Sequence, residues 1–371
     1  VPPDHSVGKY TIAIVLPDLR GGGAERVNID LAHEFARDGY NVEFVLMQAN
    51  GELLQEAKRS FPVVDLDCHR SRVLPLALAR YLRQRSPDAL IAAMWPLTVI
   101  APVAARLSRH RCRVLVSEHG MLSGEYGDWG RLHRTFLRAS TAVGYRLAQQ
   151  RIGVSSGLVR DMASLAGMST ADFQVIHNPV PPRPEPSVEA IEAAEALWST
   201  PAGGRILTVG TMKAVKNHPL LLRAFAKLER QDARLMFVGD GQGRAALLSL
   251  ARELGIENRV ILAGFHSDPT PFYQTADLFA LSSNYEGFGN VIVEAMACGT
   301  PVVSTDCPSG PAEILDQGRY GRLVPVGDVN AMTTAFSAAL DEPTDTERLR
   351  ARAADFHPTR AAKAYLNQLN I

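Results

Sequence analysis

Two glutamates, Glu286 and Glu294, stand eight positions apart in the stretch NYEGFGNVIVEAMACGTPVVSTD. A carboxylate only accepts hydrogen bonds, so a pair of them suits a ligand rich in hydroxyl donors, such as the vicinal hydroxyls of a ribose or a hexose. A helix starting near Gly289 or Asn290 puts Glu294 one turn in, on the same side as Asn290, with Glu286 on the loop before it. The N–H groups of that helix start are unpaired and form the positive end of its dipole, which favours phosphate. A sugar nucleotide offers sugar hydroxyls, a diphosphate and ribose hydroxyls in the order this segment could bind them. Each glutamate also has an ordinary explanation, Glu294 as a first-turn acid and Glu286 as a solvated loop acid. Against it, Val291, Ile292, Val293, Ala295, Met296 and Ala297 make the helix apolar nearly all round. Such a helix is buried, and Glu294 inside it needs a partner.

Other residues point to the same chemistry. Glycine turns GGGAER (Gly21 to Arg26), VGDGQGR (Val238 to Arg244) and EGFGN (Glu286 to Asn290) each follow a predicted strand. In the first two, Arg26 and Arg244 take the place of the third glycine of G-x-G-x-x-G, so a dinucleotide fingerprint and a dehydrogenase are disfavoured. What remains is close backbone approach to a phosphate beside a helix start. Asp65-Leu66-Asp67 has the form of a manganese-binding DxD, but alternation at a strand end explains it and no further ligand is apparent.

The elements that position these residues show as short β-branched runs alternating with helical patterns, the signature of parallel sheets covered on both faces. YTIAIVLP, NVEFVLMQ, VVDLD, ALIAAMWP, RVLVSEH and QRIGVSS form one series; RILTVGT, RLMFVGDG, RVILAGF, DLFALSS, TPVVSTD and YGRLVPVGD form a second. Between them, prolines at 179, 181, 182, 184 and 186 exclude helix and sheet interior. The expected fold class is α/β, with two doubly wound Rossmann-like domains facing a central cleft. The boundaries read as 1–180, a proline-rich linker 181–187, a second domain 188–355, and a C-terminal helix in 356–371 that returns to the first domain. Ala362, Tyr365, Leu366 and Leu369 would form its apolar side.

Length and composition agree with this. The chain has 371 residues, enough for two cores, with 46% hydrophobic and 21% charged residues. Cys68, Cys112, Cys298 and Cys307 form no CxxC, so neither a zinc site nor a disulfide framework is expected, and a reducing cytoplasm fits. The opening VPPDHSVGKYTIAIVLPDLR lacks a leader pattern, and no apolar run reaches a membrane-spanning length. The formal charge of zero hides an excess: between Arg70 and Arg151 stand fourteen arginines against four acids, a net +10. Such a segment suits an anionic partner, although scattered arginines are commonly only a solvated face. No basic helix or aromatic-basic repeat speaks for nucleic acid.

At these residues the sequence resembles glycosyltransferase family 4, retaining enzymes of the GT-B fold, and within it the members that build bacterial polysaccharides or lipid-linked oligosaccharides. The resemblance is carried by the glutamate pair in SSNYEGFGNVIVEAMACGTPVVSTDCPSGPAEIL, by GGGAERV, by SEHG at Ser117 to Gly120, and by VGTMKAVKNHPLLLRAF at Val209 to Phe225. It implies that Glu294 binds the nucleotide ribose, that Glu286 contacts the donor sugar, and that backbone at Phe288, Gly289 and Asn290 meets sugar and diphosphate. Lys216 matches the family's diphosphate lysine. Thr211 stands where an arginine is usual, and Lys213 could supply the missing charge. Gly22 and Gly23 match the loop that closes on the phosphates, His119 the first-domain histidine beside the donor sugar, and Phe265 with His266 a loop facing the nucleobase.

The resemblance implies a hexosyltransferase using a UDP- or GDP-sugar, with a saccharide or polyprenyl-diphosphate-linked acceptor, no cofactor and no divalent metal. His119, Lys216 and Glu286 are the expected catalytic residues. The arginine-rich segment would hold the enzyme at the inner face of the cytoplasmic membrane, each surface arginine adding up to ~1 kcal/mol on anionic lipid. A sugar-nucleotide epimerase of similar shape and a non-catalytic sugar-nucleotide-binding subunit are the alternatives; the intact glutamates and lysine argue against the second.

Overall fold

The computed structural model describes residues 10–199, 201 and 203–371. Residues 1–9, the first part of the stretch read above for a leader, lie outside them. The chain forms two compact units: one runs to Pro181 and takes in His357–Ile371, the other is Pro182–Phe356.

The first unit holds seven strands: β1 Thr11–Leu16, β2 Asn41–Leu46, β3 Val63–Asp65, β4 Ala89–Ala93, β5 Arg113–Glu118, β6 Gln150–Gly153 and β7 Gln174–Val175. They are ordered β3-β2-β1-β4-β5-β6-β7, and the paired strands run parallel. β1 and β4 read as unbroken apolar runs because helices cover both faces, and Ile12 to Leu16 and Ala89 to Ala93 are all fully buried. The order reverses between β1 and β4, which opens a crevice at their carboxyl ends, the place where such sheets bind ligands.

The C-terminal helix Pro358–Leu369 belongs to this unit. Ala361, Ala362, Tyr365 and Leu369 sink into its core, and the Tyr365 ring meets Phe35 at 6.4 Å between centroids. Polar ties flank this seam: Thr359 Oγ1 donates to Glu34 Oε2 at 3.1 Å and Tyr40 donates to the Ile371 carbonyl at 3.1 Å.

The second unit holds β8 Arg205–Val209, β9 Arg234–Val238, β10 Val260–Gly264, β11 Leu278–Leu281, β12 Val302–Thr305 and β13 Arg322–Val324. Their order is β10-β9-β8-β11-β12-β13, again parallel, with the reversal between β8 and β11. Lys216 follows β8 and Glu286 follows β11, so the reversal itself brings these two distant stretches side by side.

Residues 181–187 do not form a free linker. Gln274 donates to Glu185 at 2.9 Å and Arg183 to Glu294 at 3.0 Å, which fastens the proline-rich segment onto the second unit. As expected, the prolines keep this segment out of helix and strand, and Arg183 and Glu185 between them find partners. Among the described residues no helix is long and apolar enough to cross a membrane. All four cysteines are free thiols, and burial lifts Cys298 and Cys307 to pKa values of about 12.

Candidate active site

The helix Asn290–Ala297 begins where the sequence pattern places it, with Gly289 as its N-cap at φ 102°. That left-handed conformation is open to glycine at little steric cost. The same turn is held from behind by Gly310: a Cβ there would lie 1.7 Å from the Phe288 carbonyl oxygen, so only glycine lets the two loops touch. Phe288 is buried and packs edge-on against Phe356 at 5.5 Å. Backbone packing thus fixes the loop that carries Glu286 before any ligand arrives.

Glu286 Oε1 takes a 2.7 Å ion pair from Lys216 Nζ and a hydrogen bond from the Ser283 hydroxyl. Lys216 closes a short 3-10 turn, Ala214–Lys216, whose last carbonyl accepts from Ser282 Oγ at 2.6 Å. Their side chains are 21% and 11% exposed, so the pair is partly dehydrated while still open to a ligand. Beside it His218 is buried against Phe237; burial, and then the Lys216 charge, push its pKa down to about 4. The lysine therefore has a neutral neighbour.

Glu294 has the partner that its burial demands. Oε1 accepts from Arg183 at 3.0 Å and Oε2 from the Tyr273 hydroxyl at 3.0 Å. Arg183 also reaches Asp268 at 3.5 Å. Burial works against the Arg183 charge, but Glu294 and then Asp268 outweigh it, and its pKa is raised. Burial, followed by the Glu294 charge, holds the Tyr273 pKa well above its ordinary value, so its hydroxyl keeps its proton. Neither Arg183 nor Tyr273 is apparent in the sequence: one sits among prolines, the other in TPFYQT, which reads as core.

The remaining second-unit residues are placed as follows. Thr211 and Lys213 are exposed after β8, and Lys213 makes no ion pair among the described residues. Phe265 is 67% exposed, while the His266 ring packs on Phe272 at 4.6 Å.

In the first unit Gly22 and Gly23 are exposed at the start of the helix Gly23–Arg37. His119 follows β5, and its Nε2 lies 3.0 Å from Ser117 Oγ. Burial depresses its pKa to about 4, against an opposing hydrogen bond with Asn178. That contact is loose, since Nδ1 is buried without a hydrogen bond of normal geometry, and burial decides the outcome. Glu118, on the opposite face of β5, is fully buried and accepts from the Tyr145 hydroxyl at 2.9 Å, Trp95 N at 3.2 Å and the Thr98 hydroxyl. Burial still lifts it to about 7, over the opposing effect of those three donors.

The comparisons with known proteins identify the family. Residues 21–183 match the domain described as Glycosyltransferase Family 4, and residues 203–342 the domain Glycosyl transferases group 1. The chain belongs to glycosyltransferase family 4. A family member from Campylobacter jejuni, the N-acetylgalactosamine-N,N'-diacetylbacillosaminyl-diphospho-undecaprenol 4-alpha-N-acetylgalactosaminyltransferase, is 39% identical over 137 residues, 37% of each chain. A lipopolysaccharide 1,6-galactosyltransferase of Salmonella typhimurium is 27% identical over 83% of each chain. The chain spans less than half the length of the first two curated relatives it matches, 37% and 45%. The crystal structure of Anabaena HepE in complex with UDP-glucose superposes with a TM-score of 0.83 at 22% identity, over 97% of this chain and 99% of that one. The fold shared with this structure is GT-B.

Proposed function

We propose that the protein transfers a hexosyl residue from a UDP- or GDP-sugar to a saccharide or polyprenyl-diphosphate-linked acceptor, as a step in bacterial glycan assembly. The observation that carries this is the pair of anchored glutamates, Glu286 on Lys216 and Glu294 on Arg183 and Tyr273, on either side of one glycine-capped helix start. The names of two relatives agree with the substrates: one carries diphospho-undecaprenol, the other transfers galactose in lipopolysaccharide.

In this reading Glu294 accepts from the ribose hydroxyls and Glu286 from the donor sugar. Phe288, Gly289 and Asn290 offer backbone N–H groups to the diphosphate. Lys216 and the exposed Lys213 stabilise the charge that builds on the leaving phosphate. The bond between the anomeric carbon and the phosphate oxygen breaks, and a bond from that carbon to the acceptor oxygen forms on the same face. The acceptor proton passes to the departing phosphate, and the anomeric configuration is retained. Neither glutamate acts as nucleophile, and no divalent metal takes part.

The acceptor side rests on the helix Arg131–Leu147. Leu132, Phe136 and Val143 lie within about 40° of one another around that helix at 100° per residue. They are 86%, 60% and 53% exposed. Arg131, Arg134 and Arg138 stand to one side and line a pocket with Tyr126. An apolar stripe bordered by arginines suits the surface of an anionic bilayer and the diphosphate of a lipid-linked acceptor. In this reading the enzyme works peripherally on the cytoplasmic face of the membrane.

The test is to incubate the protein with UDP- and GDP-sugars and lipid-linked acceptors, follow product by mass spectrometry, and read the new linkage by NMR. Turnover with inversion contradicts the retaining mechanism, and abolition by a chelator contradicts the metal-free one. Donor conversion without acceptor favours an epimerase.

A further inference from the structure

Three groups from distant parts of the chain form one hydrogen-bonded line in the first unit. The Tyr365 hydroxyl of the C-terminal helix lies 2.7 Å from Ser117 Oγ, and Ser117 Oγ lies 3.0 Å from His119 Nε2. Ser117 and His119 are two apart at the end of β5, so both side chains face the helix that carries Tyr365.

We infer that Ser117, tied on its other side to Tyr365, fixes the ring of His119 in the tautomer that carries its proton on Nδ1. Only three arrangements satisfy both distances with a neutral ring. In the first, Tyr365 donates to Ser117 and Ser117 donates to the lone pair of Nε2, which leaves the ring proton on Nδ1. In the second, Nε2–H donates to Ser117 and Ser117 to the tyrosine oxygen. The Tyr365 proton then has no acceptor, because its hydroxyl has no other hydrogen-bond partner among the described residues and the side chain is only 2% exposed. In the third, Ser117 accepts from both neighbours, and its own proton, on a residue 0% exposed, is stranded instead. Nδ1 lacks a partner of normal geometry in all three, whereas the second and third also leave a buried hydroxyl without one, at a cost on the order of 1–3 kcal/mol, which selects the first arrangement.

The ring is also neutral, since burial holds its pKa near 4. With Nε2 occupied by Ser117, the buried Nδ1 presents a hydrogen and no lone pair. His119 is thereby a fixed hydrogen-bond donor and not a proton acceptor, and Ser117 is its positioning residue. That suits a transfer in which the leaving phosphate takes the acceptor's proton and a sugar hydroxyl needs only to be held. This functional step rests on the proposed function; the tautomer does not.

The experiment uses the full-length protein with 15N-labelled histidine and long-range 1H–15N correlation at neutral pH, the His119 signals being identified by their loss in His119→Gln. The expected wild-type pattern is a protonated-type shift at Nδ1 and an unprotonated-type shift at Nε2. Ser117→Ala should abolish that preference. Tyr365→Phe, which keeps the ring against Phe35 and leaves Nε2 as the acceptor for the Ser117 proton, should retain the Nδ1–H pattern. Protonation at Nε2 in the wild type or in Tyr365→Phe, or an unchanged Nδ1–H pattern in Ser117→Ala, overturns the inference. Kinetics add a second readout: Ser117→Ala should raise the donor KM several-fold with kcat within about twofold. A tautomer shift with no change in KM sustains the lock and instead removes the reading of His119 as a contact of the donor sugar.

Discussion

The two units handle buried polarity in opposite ways. Around the end of β5, His119 is held neutral, and Glu118 is pushed toward its protonated form by burial that three donors only partly offset. Around the Asn290–Ala297 helix, the two carboxylates stand in ion pairs with Lys216 and Arg183. A charge taken out of water is costly unless paired, so the second unit keeps its charges only by giving each a partner. Under the proposed function the difference fits the ligand each would face. A nucleoside diphosphate brings its own negative charge and hydroxyls, and a site built of ion pairs can exchange partners with it: Lys216 would turn from Glu286 to phosphate, and Glu286 from Lys216 to sugar. A neutral group held by a hydrogen-bonded line has nothing to exchange and works through position alone.

The largest effect tests the exchanging pair. Lys216→Ala removes the cation that would meet the leaving phosphate, and loss of one such electrostatic contact lowers kcat by about 10²–10³-fold. Steady-state turnover of a nucleotide sugar measures it, and a variant with near-normal kcat would dissolve the contrast between the units. Next comes the neutral side. A carboxyl whose folded pKa is raised from 4.5 to about 7 contributes stability that is complete below the lower value and disappears as pH rises through the higher one. For Glu118 the loss amounts to at most roughly 3 kcal/mol. His119 and His218, both near 4, act in the opposite sense, gaining stability as pH rises toward 6.5. The difference between wild type and Glu118→Gln isolates the carboxyl: thermal melts from pH 5 to 8 should show the wild type losing ground to the variant. Parallel curves would mean that Glu118 is not held near neutrality.

The sequence pattern exposed the sheets readily, because strands buried on both faces read as apolar runs separated by helices. The position of Glu294 was legible for a similar reason: an acid in an otherwise apolar helix has to be satisfied by something. What satisfies it was not legible. Arg183 lies 111 residues away in a segment whose prolines hide any periodicity, and Tyr273 occupies a turn of helix that looks like ordinary core. The Tyr365 to Ser117 contact spans 248 residues, and local patterns report which face is buried, not which distant hydroxyl it meets. At two residues, β7 is too short to show alternation.

The smallest effects sharpen the contrast within the second unit, because Glu294 has one charged and one neutral partner. Hydrogen bonds to charged groups contribute about 1.5–3 kcal/mol, but Arg183→Gln keeps a donor, and the exposed part of the guanidinium is already screened. A rise in donor KM of about tenfold with kcat nearly unchanged is therefore expected, equivalent to ~1.4 kcal/mol. Tyr273→Phe removes only an orienting hydroxyl from the same carboxylate and should raise KM about threefold. Comparing the ribonucleotide donor with its 2'-deoxy analogue separates the causes. Glu294→Gln should erase the preference for the ribose, and Arg183→Gln should weaken it, since a carboxylate no longer held by its cation meets the diol less squarely. If Glu294→Gln leaves that preference intact, Glu294 does not read the ribose. If it erases the preference while Arg183→Gln and Tyr273→Phe act alike, the charge on Arg183 adds nothing beyond its hydrogen bond, and the second unit is less dependent on ion pairing than its geometry indicates.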